Sequence, residues 1–174
     1  TLWHTLSLHD ALPIWAVVVG ASFIGMEVAA SLAGRGLDVT VVAPEAMPFG
    51  RVLGREVGQV LRKVHEEKGV QFRLENGVEG FDGDNGAVRQ VKLKDGGTLD
   101  TDLVVVGIGV RPATGFLKDA DTNKDGSVAV DSHLRLAEDV YAAGDIASFP
   151  DWRDGERIRI EHWRLAQQHG QIAA

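Results

Sequence analysis

Cysteine is missing from all 174 residues, which removes disulfides, thiolate metal sites and CxxC redox pairs from this chain. Basic residues are in deficit: 18 Lys and Arg against 25 Asp and Glu leave a formal charge of -7. That balance argues against a nucleic-acid groove and fits ordinary solubility. No apolar run is long enough to cross a bilayer, and the first residues lack the basic start and apolar centre of a signal peptide. The cytoplasm is therefore the default location. No internal repeat and no low-complexity tract interrupts the chain. No Ser/His/Asp arrangement points to hydrolysis. His162 and His169 fall seven apart on an expected helix and would share a face, yet no third ligand accompanies them, so no metal site is expected. What is present is 44% hydrophobic and 25% charged, the make-up of a soluble globular protein. The length allows one good core, or one domain and part of another.

The stretch from Trp15 to Ala43 organises the rest. Apolar Ala16–Val19 predicts a buried strand. Gly20-Ala21-Ser22-Phe23-Ile24-Gly25 follows, and then a helix over Phe23–Arg35 with Ile24, Val28 and Leu32 recurring at helical spacing. Small Ala29, Ala30 and Ala33 allow that helix to lie close to a sheet, and Gly34 and Gly36 end it. Val39–Ala43 is a second buried strand. Strand, glycine turn, helix, strand is the βαβ unit that grips a dinucleotide, because the turn offers backbone N–H groups at a helix start. Gly20 permits the tight turn and Gly25 the close helix packing. The middle glycine of the fingerprint is Ser22, whose Cβ crowds a phosphate while its hydroxyl can donate to one.

Beyond a linker with Pro44 and Pro48, a second helix is expected over Arg55–Glu67, with Val57, Val60, Leu61 and Val64 as its inner stripe. Val70–Leu74 is a third strand. Val78–Phe81, Val88–Leu93 and Thr98–Thr101 are short β-type runs joined by Gly-, Asn- and Asp-rich hairpin turns, which predicts a three-stranded meander. Asp82, Asp84, Asp95, Asp100 and Asp102 are assigned to those turns and expected to face solvent. Leu103–Val106, wholly apolar, is expected to return as a central parallel strand. Further on, Val128–Asp131 and Val140–Ala143 read as strands, and Glu161–Ala174 as a helix.

An acid about 20 residues past the glycines binds the ribose hydroxyls in such folds. Here β-strand residue Ala43 carries none, and Glu45 beyond Pro44 either reaches the ribose or is a solvated loop residue. With no acid at Ala43, Arg51 is able to approach a 2′-phosphate, so NADH and NADPH both stay open. Asp121-Thr122-Asn123-Lys124-Asp125-Gly126 imitates the start of an EF-hand loop, but the twelfth position is Ser132 and no helix pair flanks it. A surface turn is the reading preferred.

Four separated motifs carry a family resemblance. Val17–Glu27 resembles the NAD(P)H-binding motif of the FAD-dependent pyridine nucleotide-disulfide oxidoreductase superfamily. Val106-Gly107-Ile108-Gly109-Val110-Arg111-Pro112 resembles its second glycine motif. Val140-Tyr141-Ala142-Ala143-Gly144-Asp145 resembles its flavin motif, and Glu161-His162-Trp163 with Ala166 and Gly170 resembles the segment approaching the flavin ring in ferredoxin-reductase and apoptosis-inducing-factor-like members.

The resemblance implies an α/β fold: a Rossmann-like NAD(P)-binding domain over 15–116 with its three-stranded β-meander, then an incomplete second half of a FAD-binding domain over 117–174. The first flavin half and the interface domain have no counterpart here, so a truncated reading frame is expected. Residues 1–14 match neither part, and 5–14 resemble a translated sequencing-library adapter; a non-native leader is expected there, with an irregular lead-in as the other reading. The cofactors implied are FAD and NAD(P)H. The site residues implied are Gly20, Ala21, Ser22, Phe23, Ile24 and Gly25 for the pyrophosphate, with Glu45 at the ribose. Glu27 lies near the nicotinamide or is a helix-surface acid. Gly109 leaves room at the nicotinamide ribose. Gly144 and Asp145 meet the ribityl chain, and His162 and Trp163 the flavin ring. The activity implied is hydride transfer to flavin and electron delivery to a ferredoxin or Rieske-type partner. A disulfide or peroxide reductase and a non-catalytic NAD(H)-sensing module are the alternatives.

Overall fold

A computed structural model describes residues 14–118 and 120–174. The described chain divides into two compact units, one running through Ile108 and the other spanning Gly109–Ala174.

The first unit is built on a four-stranded parallel sheet. Strands β1 (Trp15–Val19) and β2 (Asp38–Val42) lie at its centre, with β3 (Gln71–Arg73) and β7 (Leu103–Val106) at its edges, in the order β3-β2-β1-β7. Helix α1 (Phe23–Ala33) joins β1 to β2, and α2 (Gly50–Glu66) leads to β3. Between β3 and β7 come β4 (Val78–Asp84), β5 (Ala87–Leu93) and β6 (Thr98–Asp100), an antiparallel meander. Asn85 and Gly86 both take positive φ, 51° and 79°, the twist that a two-residue hairpin requires.

Alternation along the strands sorts the core into two layers. Ala16 and Val18 of β1, with Val39 and Val41 of β2, pack under Met26 and Ala29 of α1. Val17 and Val42 point the other way, against Val91 and Leu93 of the meander. Central strands so covered on both faces hold the unit together, since each fully buried valine contributes roughly 1.5–3 kcal/mol.

Three expectations about packing are corrected. β7 is parallel but pairs with β1 alone, at the sheet edge rather than its centre, and its residues are half-buried accordingly. Ile24 is exposed, and α1 faces the sheet with Gly25, Met26 and Ala29. The larger change is in α2. It begins at Gly50, breaks at Gly54 (φ 81°, ψ 171°), and leaves Val57, Val60 and Val64 exposed, Val60 at 63%. Of the expected stripe Leu61 does pack inward, but its companions on that face are Gly58 and His65, so the inward face lies one residue or about 100° round the helix from the valines. A Cβ at Gly58 would stand 2.4 Å from the Pro48 carbonyl oxygen, so the Pro48 loop presses on a helix position that has no side chain. His65 then fastens the helix through Nε2, 3.3 Å from the Met26 carbonyl.

Asp102 is also reassigned. It stands after the meander, and its Oδ2 accepts the N–H groups of Ile14 (3.0 Å) and Trp15 (3.2 Å), tying down the start of β1. Those two N–H bonds hold its carboxyl below the usual carboxylate range. The expectation of a leader falls on residues outside those described, apart from Ile14, whose carbonyl accepts the Asp38 N–H at 2.9 Å.

The second unit contains β8 (Val128–Ala129), β9 (Arg135–Ala137), β10 (Val140–Tyr141), β11 (Ala147–Pro150), β12 (Arg157–Ile158) and α3 (Trp163–Ala173). β9 pairs with β10, and β11 lies between β12 and β8. Val128, Val130, Leu134, Ala142 and Ala147 form its core. The Asp121–Gly126 stretch is a turn whose Asp125 is already engaged by Ser127 and Arg159.

Candidate functional site

The glycine turn is set by contacts that forbid side chains. Gly20 takes φ +111°, and a Cβ there would fall 2.3 Å from the Gly107 carbonyl oxygen. At Gly25 a Cβ would lie 2.0 Å from the Gly20 carbonyl oxygen. Gly107, directly after β7, is crowded less severely, with 3.2 Å from its Cβ position to the Gly25 nitrogen. The ends of β1, β7 and the start of α1 thus meet backbone to backbone. Gly107 was absent from the expected site residues, although a glycine directly after an apolar strand was the available signal.

The turn is open where a ligand would enter. Ser22, Phe23 and Ile24 are exposed. Ser22 is the N-cap of α1 with its side chain making no cap hydrogen bond, and no acid lies in the first turn. The first N–H groups of a helix have no partner within it, so this helix start presents bare donors and a positive dipole end. Ala21 is buried, and its carbonyl accepts the Phe49 N–H at 2.8 Å. Phe23 meets the Phe49 ring edge-on with centroids 5.3 Å apart, which steadies the turn from the side. Glu27 is exposed on α1. Glu45 lies past β2 in the loop that lines a cavity of about 760 Å³, and its Oε1 is 3.7 Å from Arg51 Nε.

The remaining expected residues lie in the second unit. Gly109 takes φ +110° with open space around it. Gly144 and Asp145 open a single 3-10 turn, Gly144–Ile146, directly after β10. Asp145 is exposed, and among the described residues its carboxylate makes no hydrogen bond. Its backbone carbonyl accepts from Arg159 Nη1 at 3.2 Å, and Arg159 also binds Asp125 (2.9 Å) and Glu161 (2.6 Å). Asp125 is held down to about 2 by Ser127 and by that guanidinium.

His162 and His169 do not share a face. His162 is the N-cap of α3, its Nδ1 accepting the Arg164 N–H at 3.1 Å. Trp163 beside it is 72% exposed. His169 is buried and its Nδ1 accepts the Gly144 N–H. Burial holds its imidazole below the ordinary histidine value. The sequence reading had no role for His169, since a histidine in mid-helix carries no local signal.

A dinucleotide fits the first unit: uncapped N–H donors, no nearby acid in the helix start and a turn stripped of Cβ atoms suit a pyrophosphate. A free carboxylate on a glycine turn in the second unit suits the hydroxyls of a ribityl chain.

Comparison with known proteins agrees. The family model described as pyridine nucleotide-disulphide oxidoreductase matches residues 5–170. The chain belongs to that family. Apoptosis-inducing factor 3 of Homo sapiens is 41% identical over 162 residues, covering 91% of this chain and 27% of that protein. Peroxisomal monodehydroascorbate reductase 4 of Arabidopsis thaliana is 41% identical over 160 residues, covering 91% and 33%. The crystal structure of the ferredoxin reductase for the CYP199A2 system of Rhodopseudomonas palustris superposes with a TM-score of 0.82 at 30% identity, covering 93% of this chain and 42% of that one. The chain therefore spans about a third of the curated relatives it matches. This family member combines an α/β parallel sheet with a second compact unit. No helix among the described residues is long and apolar enough to cross a membrane.

Proposed function

We propose that this chain is the nicotinamide-nucleotide-binding part, with a portion of the flavin-binding part, of a FAD-dependent NAD(P)H oxidoreductase that delivers electrons to a ferredoxin or Rieske-type protein. The observation that carries the reading is the helix start at Ser22, where backbone donors stand uncapped beside Gly20 and Gly25. A diphosphate supplies the negative charge that those amides lack. The amides of Ser22, Phe23 and Ile24 bind it, and Glu45 lies 20 residues past Gly25 (45 − 25), at the distance where ribose hydroxyls are met.

In the second unit Asp145 accepts hydrogen bonds from a ribityl chain, and Arg159 fixes the backbone on which it stands. His162 spends its Nδ1 on capping α3, which aims that helix start and Trp163 at the electron-rich edge of a flavin ring. When bound, the flavin supplies hydride acceptance from the nicotinamide and one-electron release to the acceptor. The ferredoxin reductase among the relatives supports a ferredoxin as that acceptor.

Calorimetric titration of the chain with ADP-ribose tests the first half of the reading. Saturable 1:1 binding supports it, and no heat at millimolar ligand overturns it. For the whole protein, NADH with a dye acceptor should bleach bound flavin and turn over. Flavin that NADH leaves oxidised would mark a nucleotide sensor instead.

A further inference from the structure

Helix α2 turns its valines away from the core, and its own chain fixes that choice. The Pro48 carbonyl leaves room only for a glycine at position 58, and His65 Nε2 lies 3.3 Å from the Met26 carbonyl oxygen. Rolling the helix to bury Val57, Val60 and Val64 would drive a side chain onto Pro48. The three valines therefore stay exposed, at spacings of three and four residues that put them on one stripe. Valine is among the weaker helix formers, and a valine left in water contributes no burial to offset that. Glu56 and Lys63 border the stripe, and at about 100° per residue both fall on the flank away from Gly58 and His65. Among the described residues Glu56 makes no ion pair, and Lys63 reaches only Glu67, at 3.9 Å, too far for a hydrogen bond. On the other flank Val64 borders a recess of about 310 Å³ that it shares with Ala30, Ala33 and Gly34.

We propose that this face of α2 docks a second copy of the chain, packed antiparallel about a two-fold axis through Val60. The stripe is its own complement about that point. Val57 and Val64 lie three residues before Val60 and four after it; Glu56 and Lys63 lie four before and three after. A half-turn about Val60 brings Val57 of one copy opposite Val64 of the other, and Glu56 opposite Lys63, each within one residue, or about 1.5 Å, of perfect register. Two symmetry-related ion pairs then flank an apolar seam, the self-matching pattern of an isologous contact. A parallel, in-register pairing would instead set Glu56 against Glu56 and Lys63 against Lys63. Val57 of the second copy also faces the small-residue recess beside Val64. A wholly acidic or wholly basic partner would match one of the two charges and be repelled by the other, so the pattern selects a copy of itself. The seam runs for only about two turns of helix, which makes the contact weak and concentration-dependent, in the class below about 1,200 Å².

Sedimentation equilibrium of the full chain, from about 10 µM to about 1 mM, reads the association directly, and the average mass should climb from one chain towards two across that range. Val60 is exposed, so V60E keeps the fold, which circular dichroism checks, and sets two carboxylates together on the axis. Its association constant should fall by about tenfold or more. E56K and K63E each replace both ion pairs with like charges, and each should weaken association about fivefold. The double variant E56K/K63E returns opposite charges to the same places and should associate within about twofold of the unmodified chain. A chain that stays single at the highest concentration overturns the proposal. Association that V60E leaves unchanged does so too, because the contact would then lie on another face. A double variant no better than the single ones refutes the antiparallel register, and the proposal with it.

Discussion

The buried imidazole of His169 accepts the Gly144 N–H at 3.2 Å through Nδ1, so one residue of α3 fixes the turn that carries Asp145. Phe149 closes the other side of the ring edge-on at 4.8 Å, and a Cβ at Gly144 would meet Ala166 at 3.1 Å. The bond needs Nδ1 unprotonated. Protonation would set N–H against N–H, in a place that already disfavours the charged ring by burial.

His169→Ala should therefore cost about 1–3 kcal/mol, the cost of an orphaned buried donor, while His169→Gln keeps an acceptor and should lose less. The folded-state pKa is lowered, so the unfolded chain binds the proton first. Stability is whole above the unfolded value near 6.5 and falls as pH drops from there towards the folded value. Urea midpoints measured between pH 7.5 and pH 5 should show that decline in the unmodified chain and a flatter profile in His169→Gln. Equal profiles for the two would separate His169 from the effect.

The first unit was legible because its signals are local. A glycine turn between two apolar runs, and Asn85-Gly86 between β-type runs, declare themselves within a few residues of chain. The orientation of α2 was not legible. Its valines form a good helical stripe, but the inward face is chosen by Gly58 against Pro48, a contact between α2 and the preceding loop that periodicity does not register. The edge position of β7 is a matter of topology, and four apolar residues read the same at an edge as in a centre. Asp102 looked like a turn residue because its partners, Ile14 and Trp15, lie almost ninety positions away in the chain. For the site, the turn residues and the Gly144-Asp145 pair were readable as motifs, whereas Gly107 and His169 act through neighbours distant in sequence.

Backbone crowding at the turn ranks the glycines. Gly25→Ala puts a methyl 2.0 Å from the Gly20 carbonyl oxygen, and Gly107→Ala puts one 3.2 Å from the Gly25 nitrogen. The first clash cannot be relieved without moving β1 or α1 and should cost roughly 4 kcal/mol or more, at the extreme of single substitutions. The second needs a shift of a few tenths of an ångström and should cost about 1–2 kcal/mol, in the range of modest overpacking. Chemical denaturation of both variants checks the order; a Gly107 variant less stable than the Gly25 variant would contradict it.

Acid should act through a small set of carboxylates. The Ile14 and Trp15 N–H groups lower Asp102, Ser127 and Arg159 take Asp125 down to about 2, and Arg153 does the same for Asp151. Each has a folded value below its unfolded one, so each contributes stability above the unfolded value near 4 that is lost as pH falls through the folded value. The expected unfolding curve is flat between this window and the histidine step, then steep below pH 4. Asp102→Asn should remove part of the lower step and leave the histidine step intact, as read from far-UV circular dichroism along an acid titration.

Ser22 offers a substitution whose two effects have opposite signs. It caps α1 by position only, since its side chain makes no cap hydrogen bond. Aspartate is among the best N-cap residues and its charge suits the positive end of the helix, so Ser22→Asp should stabilise the fold by about 0.5–1 kcal/mol. The same carboxylate occupies the donors and repels a diphosphate, so binding of ADP-ribose should weaken by about tenfold or more, in keeping with like-charge juxtaposition at a binding site. A residue with a purely structural role would move both quantities in one direction. Thermal unfolding and calorimetric titration of this single variant separate the two cases, and tighter binding alongside higher stability would remove the Ser22 turn from the nucleotide site.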